Sequence, residues 1–191
     1  MRGAVSAGDP IWIQSVGDTV PLEFLDSLAA RLARVFGRSC RVLGPSLDPA
    51  PFYDPDRGQY WSTAILRHLA ARFSDAPARV LGVADVDLFV PVLTFVFGEA
   101  QLEGRCAVIS LCRLREEFYG LPPNPERLLE RAVKEAVHEL GHTFGLRHCR
   151  DWRCVMASTH AVERLDLKEA DFCPACRRVV DTAGGFSADA R

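Results

Sequence analysis

His138 and His142 stand four residues apart in the run His138-Glu139-Leu140-Gly141-His142. On a helix that spacing brings both imidazoles to one face, where they can share a metal ion. By composition alone, H-E-x-x-H arises in roughly one chain in a hundred of this size. The chain continues Thr143-Phe144-Gly145-Leu146-Arg147-His148, and the added glycine and third histidine lower the accidental rate to on the order of one in a hundred thousand. Three neutral imidazoles leave tetrahedral zinc one open position, where a water would have its pKa lowered to about 7. Glu139 adjoins a ligand but points to another part of the helix face, which suits a general base. Gly145 permits the positive φ that ends a helix and turns the chain, so that His148 can approach the metal. The expected chemistry is zinc-assisted hydrolysis of a peptide bond, and the competing class is a zinc-bearing module that binds peptides without cleaving them efficiently.

A second group follows at once: Cys149 and Cys154, then Cys173-Pro174-Ala175-Cys176. Four thiols with one C-x-x-C pair match a closed four-thiolate zinc site that carries structure rather than chemistry. The alternatives are a redox C-x-x-C, which lacks the βα setting such motifs use, and two disulfides, which suit a secreted chain. The remaining cysteines, Cys40, Cys106 and Cys112, lie singly in apolar segments and read as small buried side chains. His68 and His160 read as solvated. Lys134 and Glu135 read as the charged face of the long helix, with a supporting role beside the metal as the alternative. Met156 is either a gap-filler or an apolar floor beneath the metal.

The elements that must position these residues follow from periodicity. Residues 11–16 alternate as a strand, and Leu22, Leu25, Leu28 and Leu32 recur as a helix stopped by Gly37. Residues 40–43 read as a strand, 44–58 as a Pro- and Asp-rich loop, and 61–73 as a helix. Residues 80–83, 90–97 and 107–111 are β-rich. Asn124 and Pro125 start the long helix that carries the histidines, and its apolar positions from Leu129 to Phe144 leave one face for packing and another for chemistry. Asp166 and Glu169 predict a capping box for a last short helix. The tail from Thr182 onward reads as frayed.

At 191 residues, with 48% hydrophobic and 25% charged side chains, the chain predicts one folded domain: an upper part of about residues 1–145, a lower part of 146–181 and a tail of 182–191. A net charge of −2 with dispersed arginines argues against a nucleic-acid partner. No run approaches membrane-spanning length, and residues 1–10 do not read as a secretory signal. The expectation is a cytoplasmic monomer acting on peptides or proteins.

Taken together, His138, Glu139, His142, Gly145, His148, Cys149, Cys154, Met156, Cys173 and Cys176 resemble the archaemetzincins, a branch of the metzincin metallopeptidases. Arg57-Gly58-Gln59-Tyr60, Asp87-Leu88-Phe89, residues 95–100, Ser110 and Arg113-Leu114-Arg115 extend the likeness over nearly the whole chain. The resemblance implies an α+β, zincin-like fold: a twisted, mostly parallel mixed sheet with helices above a cleft and a small zinc-stapled C-terminal part. It implies two zinc ions, one on the three histidines and one on the four cysteines, with Glu139 as base and acid and Met156 as the Met-turn. It places an edge strand near residues 95–98 along the cleft, and it adds aminopeptidase-like trimming of short peptides as a mode of action.

Overall fold

Ile11 and Ile13 fall on one face of a strand and Trp12 and Val16 on the other, as the alternation predicts. The computed structural model describes residues 8–183. In it β1 (Ile11–Val16) runs parallel to β2 (Cys40–Leu47) and to β5 (Arg79–Ala84), and β5 runs parallel to β8 (Cys106–Ser110). The last strand, β7 (Gly98–Ala100), closes one edge antiparallel to β8, giving the order β2-β1-β5-β8-β7. A small second sheet joins β3 (Tyr53–Asp54), β4 (Gln59–Trp61) and β6 (Leu88–Phe89). The fold is the expected mixed, mostly parallel sheet with packed helices.

Both faces of the large sheet are covered, which is why β5 and β8 are buried throughout and carry few polar side chains, Arg79 and Ser110 at their ends. Ile13 lies opposite Leu81, and Leu81 opposite Ala107. This row packs with Val83 and Ile109 against α1 (Leu22–Phe36) and α3 (Pro125–Thr143). On the other face, Val80, Ala84 and Val108 meet Ile65 and Leu69 of α2 (Ser62–Arg72). Asn124 caps α3 as expected, its side chain accepting from the Arg127 N–H at 3.0 Å.

The far end of α3 is tied to the sheet. Arg79 of β5 donates to the carbonyls of Thr143 at 2.6 Å and Gly104 at 2.9 Å, and its guanidinium lies 3.7 Å from the centre of the Phe144 ring. Gly145 takes φ 88°, and the chain turns back beneath the helix. There Val155, Met156, Phe172 and Val180, with the short α4 (Val162–Leu167) and α5 (Pro174–Thr182), join the apolar cluster that contains Val137 and Leu140 of α3.

Three expectations need correction. Residues 90–97 do not form a strand: Pro91 has no N–H for a ladder, Val92 is 87% exposed, and the chain turns across 91–94, leaving one bridge from Val96 to Leu88. Residues 44–58 are not wholly loop, because β2 runs on to Leu47 and β3 follows a 3-10 turn at Ala50–Phe52. The capping box at Asp166 does not form. Asp166 lies inside α4, paired with Arg131, and the last helix starts instead at Pro174 with Cys173 before it. Thr182 closes that helix, and the expected frayed tail otherwise lies outside the described residues, apart from Ala183.

Arg131 shows what joins α3 to α4. Its buried guanidinium makes two bonds to Asp166, at 2.8 and 2.7 Å, one to the Leu114 carbonyl at 2.9 Å, and an ion pair with buried Glu116 at 3.0 Å. Removing one partner of a buried pair leaves the other charge uncompensated, so Arg131→Ala should cost about 3 kcal/mol in urea unfolding. The solvent-exposed pair of Arg153 and Glu169 sets the contrast, and Arg153→Ala should cost less than ~0.5 kcal/mol. Equal losses from the two variants would refute this account of the joint.

Candidate metal centre and cleft

The last turns of α3 and the chain beyond Gly145 bring His138, His142 and His148 together, with one ring nitrogen of each within 4.8 Å of the others. The ring centres are 4.7, 5.3 and 5.2 Å apart. His138 Nδ1 lies 2.8 Å from the Val155 carbonyl and His142 Nδ1 lies 2.7 Å from that of Leu146, so each ring N–H donates to backbone and each Nε2 presents its lone pair. The two Nε2 atoms then face one another at 3.1 Å. Two lone pairs that close repel unless a cation sits between them and a third donor, and this donor set fits zinc. Burial pushes the His138 imidazolium pKa down to about 3 and lowers those of His142 and His148, so all three rings are held in the neutral, ligating form.

Glu139 is buried beside this group. Its side chain fits against β7 because position 98 is glycine: a Cβ there would fall 2.6 Å from Glu139 Cγ and 2.8 Å from the Val108 carbonyl oxygen. Burial, with Glu135 and Glu99 nearby, pushes the Glu139 carboxyl well up from its ordinary value. Glu99 itself is fixed at the first turn of α2, where it accepts from Ser62 at 2.5 Å and Thr63 at 2.9 Å. Met156 is fully buried under the helix, with its sulfur packed where a side chain on Gly141 would stand, so it fills the space that glycine leaves.

The four thiols of Cys149, Cys154, Cys173 and Cys176 also gather, their sulfurs within 4.8 Å of one another. None is in a disulfide. Cys173 precedes the first turn of α5, and the backbone N–H of Cys176, followed in effect by further hydrogen bonds, lowers its thiol pKa to about 7. Four such sulfurs, gathered and free of disulfides, with those of Cys154 and Cys173 accepting from backbone N–H groups, fit a second zinc. The segment between Cys149 and Ala157 is stitched by Cys149 N–H to the Met156 carbonyl at 2.8 Å and Ala157 N–H to that of Cys154 at 2.9 Å. The same segment supplies the Val155 carbonyl that orients His138.

Several residues were placed differently by sequence. Glu135 is not on the charged face: it is 4% exposed and lines the cleft, three residues before His138 and four before Glu139 on the same helix face. Lys168, unremarked in the sequence, is 5% exposed in the same cleft and donates to the Val155 carbonyl at 3.2 Å. His160 is exposed as expected but stands at the cleft wall, whereas His68 lies away from it against Phe52. Cys106 is buried, and Cys40 and Cys112 are half-buried. Arg57, Gln59, Asp87 and Arg113 build the strand-side wall. Arg57 and Gln59 donate to the carbonyls of Leu93 and Thr94, while Arg113, bidentate to Asp87, lies 4.2 Å from the centre of the Phe95 ring.

Known proteins resemble this chain in sequence and in fold. The profile of peptidase family M54 matches residues 50–182. The archaemetzincin of Methanocaldococcus jannaschii is 46% identical over 175 residues, covering 91% of this chain and 94% of the relative. A zinc-dependent peptidase from Methanocorpusculum labreanum superposes with a TM-score of 0.82 at 29% identity, covering 89% of this chain and 99% of that one. The archaemetzincin of Methanopyrus kandleri does so with 0.80 at 35%, covering 93% and 96%. With a family match over more than half its length and relatives this similar, the chain belongs to peptidase family M54, the archaemetzincins, a family of zinc-dependent metallopeptidases.

Proposed function

We propose that this chain hydrolyses peptide bonds with zinc held by His138, His142 and His148 and with Glu139 as general base and then general acid. The observation that carries the reading is the convergence of three neutral imidazoles beside a buried carboxylate in one cleft. Zinc on those nitrogens would supply Lewis-acid chemistry at an open fourth position. Glu139 takes the proton from the attacking water and returns it to the departing amine. Gly98 keeps the Glu139 side chain close to β7, the outer strand of the sheet, along whose free edge an extended substrate can add by backbone hydrogen bonds. Burial keeps bulk water from the carboxylate and raises its proton affinity above that of an exposed glutamate.

A cleft bounded by residues 93–97 on one side and 158–160 on the other favours short extended peptides over folded proteins. The resemblance adds aminopeptidase-like trimming as the narrower mode. A second zinc on Cys149, Cys154, Cys173 and Cys176 holds the chain beneath the site, and four thiols kept for a metal fit the reducing cytoplasm as the working compartment. Residues 146–181 then form a zinc-stapled lower part of one catalytic domain.

Glu139→Gln should retain zinc and lower kcat by about a hundredfold or more on a peptide library digested and read by mass spectrometry. Activity equal to the parent would defeat the mechanism, and tight binding with no products from the parent would favour the peptide-binding alternative. Loss of residues one at a time from the amino end, as against internal cuts, reads the mode in the same digest.

Metal analysis of the purified protein should find two zinc equivalents. Cys173→Ser should keep the histidine-bound equivalent while lowering Tm by about 5 °C or more. A single equivalent in the parent would contradict the second site.

A further inference from the structure

The face of α3 that presents His138, Glu139 and His142 continues one turn back to Glu135. A cavity of about 350 Å³ runs from the histidines to this residue, walled by Phe95, Val96 and Phe97 on one side and by Ser158 and His160 on the other. Its floor is formed by two charged groups, Glu135 and Lys168, each at least nine-tenths buried. No described residue donates a hydrogen bond to the Glu135 carboxylate, which lines the cavity and so has acceptor capacity to offer there. Lys168 gives one N–H to the Val155 carbonyl and has further N–H groups to give. The two do not form a direct ion pair, yet each stands within range of the other's charge.

An acceptor and a donor with spare capacity, side by side at the end of an apolar-walled cavity, define what can fill it. A guanidinium or ammonium would pair with Glu135 but meet Lys168. A carboxylate would pair with Lys168 but meet Glu135. An alkyl chain would leave both unsatisfied. A carboxamide does neither harm: its N–H donates to the carboxylate and its carbonyl accepts from the ammonium. We infer that Glu135 and Lys168 are specificity-determining residues that select a substrate bearing glutamine or asparagine in the pocket beside the scissile bond. This rests on the peptidase reading above for the word substrate, but the pocket's preference can be measured without turnover.

The experiment uses the zinc-loaded Glu139→Gln protein and four capped alanine peptides, each with one central glutamine, leucine, glutamate or arginine, so that the large residue can slide into the pocket. Calorimetry should show the glutamine peptide binding about tenfold or more tightly than the other three. Adding Lys168→Met should move first place to arginine, and adding Glu135→Gln should move it to glutamate. A purely structural pair would not exchange preference by charge in this way. Leucine equal to glutamine, a charged peptide first before either addition, or no measurable binding of any peptide would overturn the assignment. Should either added substitution prevent folding, the ranking by Glu139→Gln alone decides. Failure of the parent to cleave the glutamine peptide bears on the catalytic reading and not on this one.

Discussion

Two backbone carbonyls, those of Val155 and Leu146, fix His138 and His142 so that their Nε2 lone pairs meet at 3.1 Å. That contact is unfavourable without a cation, and much of the molecule serves to impose it. The chain must return beneath α3 for Val155 to reach His138, which requires the turn at Gly145. It must stay there, which the packing of Met156 under Gly141 favours and a metal on the gathered thiols would secure. Charge follows the same logic. Glu135 and Glu99 bear on Glu139 in a desolvated cleft where Lys168 is a compensating cation, and a divalent ion on the histidines would add positive charge beside them.

The parts of this arrangement that depend on local chemistry were legible in the residues. The ligand spacing, the Asn124 cap, the turn at Gly145 and the thiol pairs each follow from one helix turn or one loop. Strands β1, β5 and β8 were legible because burial on one or both faces writes itself into apolar alternation or continuity. Residues 90–97 misled because Val90, Val92, Phe95 and Phe97 have strand-forming side chains while Pro91 and the anchoring of Leu93 and Thr94 by Arg57 and Gln59 decide the path. That anchoring joins positions more than thirty residues apart, and no local window reports it.

Glu135 and the start of the last helix were misplaced for another reason. The signal was present in both cases: three- and four-residue spacing from His138 and Glu139, and a proline directly after Cys173. A glutamate on a helix is usually solvated, and only the packing of Lys168 and the strand-side wall over that turn shows otherwise. Lys168 itself carries no motif, since its importance arises from where α4 ends.

The grip of Arg79 on the Thr143 carbonyl has a consequence for the reaction. Helix ends fray because their final carbonyls lack partners, and His142 sits in the last turn of α3, where loosening would spread the three imidazoles. A buried guanidinium from the central sheet satisfies that end and complements the helix dipole there. The histidine-bearing turn is thus preorganised against the centre of the sheet, so little rearrangement would have to be made at the moment of chemistry.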